Sequence, residues 1–217
     1  MTDALRINVG CGKTPVMGWR NFDNSPSLRL ASAPMLAGIL QTFRLLSEPQ
    51  MAFIRFAREN PIEYGNATKR LPVPDASADV LYSSHMLEHL DQQDALSFLR
   101  EAKRVLRHGG VIRLAVPDIE LKVHQYLETK DADAFIQSTL LTSQRPRTLG
   151  ARLIFLFVRP SYHLWMYDGK SLSRLLESQG FANPQVVKAG ETRISDPSPL
   201  DLCERAEDSV YVEAINP

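Results

Sequence analysis

The spacing of apolar residues changes several times along the chain, and each change marks an element. Leu5–Val9 is a short apolar run that ends at two glycines one residue apart, Gly10 and Gly12. It reads as a buried parallel strand, and the glycines let the backbone turn sharply at its carboxyl end. Similar short runs follow at Arg20–Asp23, Ile62–Tyr64, Ala78–Ser84, Val111–Val116, Pro184–Ala189 and Ser209–Ala214. Most of the gaps between them carry helical spacing. The clearest helix is Asp91–His108, with Asp91 as N-cap, a stripe of Leu96, Leu99, Ala102 and Leu106, and a stop at Gly109 or Gly110. Met35–Leu46 and Gln50–Arg58 read as two amphipathic helices broken near Ser47-Glu48-Pro49. Leu121–Leu127, Ala132–Leu141 and Leu149–Val158 are helical in period. Lys170–Gln179 is a last helix, capped by Asp168 and stopped at Gly180.

Seven short strands with helices between most of them predict an α/β fold. Right-handed crossovers then make it a doubly wound, Rossmann-like sheet with helices on both faces. Ligands of such sheets sit at the carboxyl ends of the strands, which is where Gly10 and Gly12 fall. Two phosphate-site patterns fail there. Pro15 replaces the third glycine of G-x-G-x-x-G, and Ile7 stands where a phosphate loop needs its first glycine. Asp23 ends the second strand, where a carboxylate can accept from both hydroxyls of a ribose; it fits equally a turn before Asn24-Ser25-Pro26. Residues 28–60 form a helical insertion next to the ligand edge, read equally as a lid or acceptor-pocket wall and as a packing or homodimer element. His85 and His89 stand four apart, but a pair without a third ligand predicts no metal site. The zincin motif fails because Met86, not glutamate, follows His85. Glu88 and His89 are expected to orient the turn by hydrogen bonding. Aromatics surround His163 between Tyr162 and Asp168, a stretch that reads as loop packing or as an acceptor-pocket lining.

Three stretches carry a family resemblance. Asn8-Val9-Gly10-Cys11-Gly12 resembles the glycine-rich turn of class I S-adenosylmethionine-dependent methyltransferases. Leu71-Pro72-Val73-Pro74-Asp75, followed by Asp79-Val80-Leu81-Tyr82-Ser83-Ser84-His85-Met86-Leu87-Glu88-His89-Leu90, resembles the small-molecule and glycan-type group of that class. So does Glu101-Ala102-Lys103-Arg104-Val105-Leu106 ahead of Gly109-Gly110. The resemblance covers residues 5–118 well and 160–214 loosely. It implies one domain over residues 1–217, strand order 3-2-1-4-5-7-6 with the last strand antiparallel, and a helical acceptor side over residues 119–168. It also implies S-adenosylmethionine as cofactor and S-adenosylhomocysteine as product, with no metal. Val9, Gly10, Cys11 and Gly12 would meet the amino-acid portion, Asp23 the ribose, Asn66 and Ala67 the adenine, and Ser84 and His85 the methionine end. The acceptor would be a small molecule or a glycan, methylated on oxygen or nitrogen. His85 is the first candidate for a base and His163 the second.

Composition narrows the classes. Lys+Arg and Asp+Glu are equal at 25 each, so the chain has no global basic field for nucleic acid. The fourth strand ends in Ser83-Ser84-His85-Met86 and not in the Pro-Pro-aromatic motif of base methylation. Two cysteines make neither a disulfide framework nor metal spacing. No apolar run nears the roughly 18 residues of a membrane span, and Met1-Thr2-Asp3-Ala4 does not read as a signal peptide, so a cytoplasmic setting is expected. The alternative function is a scaffold of the same fold that binds cofactor without catalysis.

Overall fold

A computed structural model describes residues 4–43, 45–141 and 162–217. Its strands are β1 (Arg6–Val9), β2 (Arg20–Asp23), β3 (Ile62–Tyr64), β4 (Ala78–Ser84), β5 (Leu106–Pro117), β6 (Ala182–Val187) and β7 (Ser209–Ile215). They form one sheet in the order β3-β2-β1-β4-β5-β7-β6. Neighbouring pairs from β3 to β5 are parallel, and β7 runs antiparallel to both β5 and β6. The carboxyl ends of β1, β2 and β4 therefore lie along one edge. The expected Rossmann-like order is the observed one.

Helices α1 (Pro26–Ala31), α2 (Pro34–Thr42) and α3 (Glu48–Glu59) fill the gap between β2 and β3. One more helix forms there than the spacing predicts, because Ser25 caps α1 through the Leu28 N–H and Pro26 starts it. Ser47 and Gln50 cap α3 reciprocally, and α3 buries Met51, Ile54 and Ala57. The α2 stripe departs from expectation. Ile39 and Phe43 are 53% and 71% exposed, and Ala37 is the buried residue of that helix.

The main core packs α4 (Gln92–Val105) and α7 (Gly169–Ser178) on the sheet. Phe98, Leu99, Ala102 and Val105 meet Leu81, Ile112, Leu114, Leu172 and Leu176 there. The α4 face runs through Ala95, Phe98 and Val105, while Leu96 is half-buried. The helix also stops before the expected His108. Leu106 turns extended and pairs with Ala78, so β5 begins where the helix was predicted to continue. Successive side chains on a strand point to opposite faces. On its other face β4 packs Val80 and Tyr82 against Val16, Trp19, Ile194 and Leu200, which come from connections and not from helices. The connection before β7 is fastened from inside. Arg113 and Glu213 form a fully buried pair at 2.6 Å. Glu213 also accepts from the Thr192 hydroxyl and the Arg193 N–H, and Arg113 donates to the carbonyls of Glu191 and Leu202.

Helices α5 (Ile119–Thr129) and α6 (Ala132–Thr139) follow β5. The predicted helix Leu149–Val158 lies outside the described residues. Asp168 caps α7 as expected, through the Ser171 N–H. Among the described residues no helix is long and apolar enough to cross a membrane.

Candidate active site

The turn after β1 is built for backbone exposure. Gly10 has φ +73°, and a Cβ there would stand 2.4 Å from Met86 Cγ, so both torsion and space demand glycine. Gly12 has φ +49° but meets nothing within 4 Å of its Cβ position. Its torsion favours glycine, and the space over it is open to a ligand. The Gly10 and Cys11 N–H groups both donate to the Phe22 carbonyl, which locks the turn to β2.

Asp23 sits at the tip of β2 and organises the same turn. Its Oδ2 accepts from the Gly12 N–H at 3.1 Å, and its Oδ1 accepts from the Ser25 N–H at 2.7 Å. Each carboxylate oxygen has two lone pairs, so each keeps one for a further donor. The turn-aspartate reading is the observed one, and the spare lone pairs leave room for the ribose reading beside it. Cys11 is buried, and burial followed by the nearby Asp23 charge pushes its thiol up to about 12. It is a packing residue with an inert thiol.

Two strands away along the edge, β3 runs into Gly65, Asn66 and Ala67. A Cβ on Gly65 would stand 2.8 Å from Leu71 and Phe22, which pins this loop onto the core. Asn66 Oδ1 already accepts from the Thr68 N–H and hydroxyl, at 3.0 and 2.9 Å. An adenine amine would have to displace the hydroxyl to reach that oxygen. Ala67 is buried beside it.

At the end of β4, Ser83 donates its hydroxyl to the Val9 carbonyl and ties β4 to β1. The Ser84 hydroxyl is buried without a hydrogen bond of proper geometry among the described residues. The Tyr82 hydroxyl lies near enough to feel it. A buried polar atom left this way at a strand end is an opening for a ligand contact. His85 follows with φ +49°, a left-handed conformation uncommon outside glycine. Its Nε2 lies 2.8 Å from Ser209 Oγ and Nδ1 lies 3.4 Å from Glu88 Oε1.

His163 and His89 meet the same carboxylate oxygen. Each Nε2 lies 3.9 Å from Glu88 Oε1, and the two rings stack edge-on at 5.1 Å. Glu88 is fully buried, and neither of its side-chain oxygens has a hydrogen-bond partner among the described residues. Glu88 orients the turn by hydrogen bonding as expected, though not through its carboxylate. Its backbone carbonyl does so, accepting from the Leu164 and Trp165 N–H groups. His89 orients the turn as expected, donating from Nδ1 to the Tyr162 carbonyl. Burial lowers the proton affinity of His163 against the opposing pull of Glu88. Burial, and then the Glu88 charge, pushes Tyr167 up to about 12.

The structure thus gathers Val9, Gly10, Cys11, Gly12 and Asp23 at one turn and Ser84 and His85 on the next strand end. Asn66 and Ala67 form the far end of the row. His163 joins His85 through Glu88. Sequence reading missed Met86 under Gly10, Ser209 behind His85, and Glu88 as the point where three histidines converge. The spacing of His85, Glu88 and His89 was the signal for the last, since three and four residues apart share a face in a turn.

Residues 44–114 match the methyltransferase domain family. The match takes in β3, β4, α4 and most of β5 and leaves β1 and β2 outside. A "probable S-adenosylmethionine-dependent methyltransferase" of Mycolicibacterium smegmatis is 44% identical over 57 residues, 26% of this chain and 21% of that protein. The 27-O-demethylrifamycin SV methyltransferase of Amycolatopsis mediterranei is 31% identical over 119 residues, 53% of this chain and 38% of that protein. The chain thus spans well under half the length of these curated relatives. Among solved structures, a SAM-dependent methyltransferase of Thermotoga maritima aligns with a TM-score of 0.55 at 15% identity, covering 100% of this chain and 84% of the other. One from Methanosarcina mazei aligns with a TM-score of 0.52 at 15% identity, covering 99% and 93%. These two share the fold. A third of the chain thus resembles the methyltransferase domain in sequence, and the whole of it shares the fold of solved SAM-dependent methyltransferases.

Proposed function

We propose that the protein moves the methyl group of S-adenosylmethionine to a hydroxyl or amine of a small-molecule or glycan-type acceptor. One observation carries the reading. The open glycine turn, the Asp23 carboxylate with two free lone pairs, and the unsatisfied Ser84 hydroxyl stand in a row on the ligand edge of this sheet. Gly12 would let the amino-acid portion of the cofactor approach the main chain, with Val9, Gly10 and Cys11 shaping the turn. Asp23 would accept from the ribose hydroxyls. Ala67, with Asn66 once Thr68 gives way, would meet the adenine, and Ser84 and His85 the methionine end.

The bound cofactor supplies an electrophilic methyl on a sulfonium. The chain's own task is to align the acceptor and exclude water, and such positioning can lower a barrier by ~7–11 kcal/mol. An acceptor hydroxyl needs a base. His85 is first in line because it lies next to the strand end and has the Ser209 hydroxyl behind it. His163 is second. The acceptor side is formed by α5, α6 and the 162–168 segment, which hydrogen-bonds to the Glu88 carbonyl. The relative named 27-O-demethylrifamycin SV methyltransferase supports a small acceptor.

The test is release of S-adenosylhomocysteine from a panel of hydroxyl, amine and glycan metabolites, with the methylated acceptor identified by mass spectrometry. Acceptor-dependent release, lost in Asp23→Ala, is the expected result. Tight cofactor binding with no release on any acceptor class would favour the scaffold reading.

A further inference from the structure

Three electron-pair donors converge behind the β4 turn, and the one group that comes nearer to Glu88 Oε1, His85 Nδ1 at 3.4 Å, makes no hydrogen bond to it. His89 Nδ1 lies 2.9 Å from the Tyr162 carbonyl oxygen, and His163 Nδ1 lies 2.8 Å from the Thr139 carbonyl oxygen. A carbonyl only accepts, so each Nδ1 carries a proton. In the neutral ring the lone pair is then on Nε2, and each Nε2 faces Glu88 Oε1 at 3.9 Å. That carboxylate is fully buried and makes no hydrogen bond. A buried carboxylate facing two imidazole lone pairs is costly unless a cation stands among them. The 3.9 Å separations are too long for an N–H···O bond. They are wider than the roughly 3.4 Å that bonds of about 2.1 Å set between two ligands of one tetrahedral ion, so an ion would draw the side chains together by about half an ångström. A ring N–H held by a backbone carbonyl is also the outer contact that fixes a metal-binding histidine.

We propose that Glu88 Oε1 and the Nε2 atoms of His89 and His163 bind one divalent first-row transition-metal ion. Two imidazoles and one carboxylate suit zinc or its neighbours and not magnesium or calcium, which prefer all-oxygen shells. The three ligand atoms lie within 4.8 Å of one another. A small turn of the His89 ring, whose side chain is 32% exposed and opens to solvent, closes the set and gives the ion its route in. The ion ties three pieces together: the turn after β4, the 162–168 segment, and the end of α6 through Thr139. Its binding energy is therefore folding energy for the acceptor side. His163 then serves as a ligand, and the base role stays with His85.

The readout needs no turnover. An untagged chain is stripped with a chelator and titrated with Zn²⁺ by calorimetry, and its melting is followed with and without the ion. One saturable site per chain and a raised Tm are expected. His89→Ala, whose ring is the most exposed of the three, keeps the fold and should lose at least about tenfold in Zn²⁺ affinity. Cys203→Ser removes an exposed thiol outside the proposed ligand set and should bind as the parent does. Loading with Co²⁺ should give visible ligand-field bands that His89→Ala loses. No saturable Zn²⁺ or Co²⁺ binding by the folded chain would overturn the site. So would binding of parental strength in His89→Ala.

Discussion

At the residue scale the candidate site depends on side chains that hold the backbone and keep capacity to spare. Asp23 fixes the glycine turn with one lone pair on each oxygen and leaves one on each for a further donor, the proposed ribose. Asp23→Ala should weaken S-adenosylmethionine binding by roughly 1–3 kcal/mol, the cost of stranding polar partners. Calorimetry checks this, and unchanged affinity would remove Asp23 from the site. Asp168 acts on stability instead. The Ser171 N–H, then the Ser171 hydroxyl, holds its carboxyl below the usual range. A depressed carboxylate contributes stability that is present above its unfolded pKa and lost as pH falls through its folded one. Asp168→Ala should therefore cost about 1 kcal/mol near neutrality. The difference in Tm between parent and variant should shrink as pH drops through the carboxylate range. A difference that grows there would contradict the capping account. Gly10, Gly12 and Asp23 were legible in the sequence because their roles follow from torsion and position. Met86 under Gly10 was not, because a contact across a turn leaves no local signature.

At the element scale the strands were easier to read than the helices between them. β3 and β4 begin and end where their apolar runs do. The α4 boundary was missed because Leu106 continues the helical period yet pairs with Ala78, a tertiary contact that overrides local spacing. α2 shows the converse, a regular apolar stripe of which Leu36, Ile39 and Phe43 stay exposed. Burial and not periodicity should set the cost of truncation. Ile54→Ala, at a fully buried position in α3, should lose about 2–5 kcal/mol. Ile39→Ala, on the exposed α2 face, should stay within about 0.5 kcal/mol. Urea unfolding of the two variants checks this. A large loss at Ile39 would mean that its face is covered in solution, as the homodimer reading of residues 28–60 requires.

At the scale of the whole molecule, topology assembles what sequence distance separates. Strand order brings residues 9–12, 23 and 84–85 to one edge, and the crossover after β5 returns His163 to Glu88. The row along the edge was foreseeable from the order of strands. The histidine cluster was not, because His163 lies 75 positions after Glu88 in the chain and no local pattern joins them. The buried Arg113–Glu213 pair was also invisible, since each residue alone reads as an exposed strand position. The central claim is the proposed cofactor site on that edge, and its most direct test is calorimetric titration of the purified chain with S-adenosylmethionine and with S-adenosylhomocysteine. Saturable one-to-one binding of both is the predicted result. Failure of a folded chain to bind either one would contradict the account.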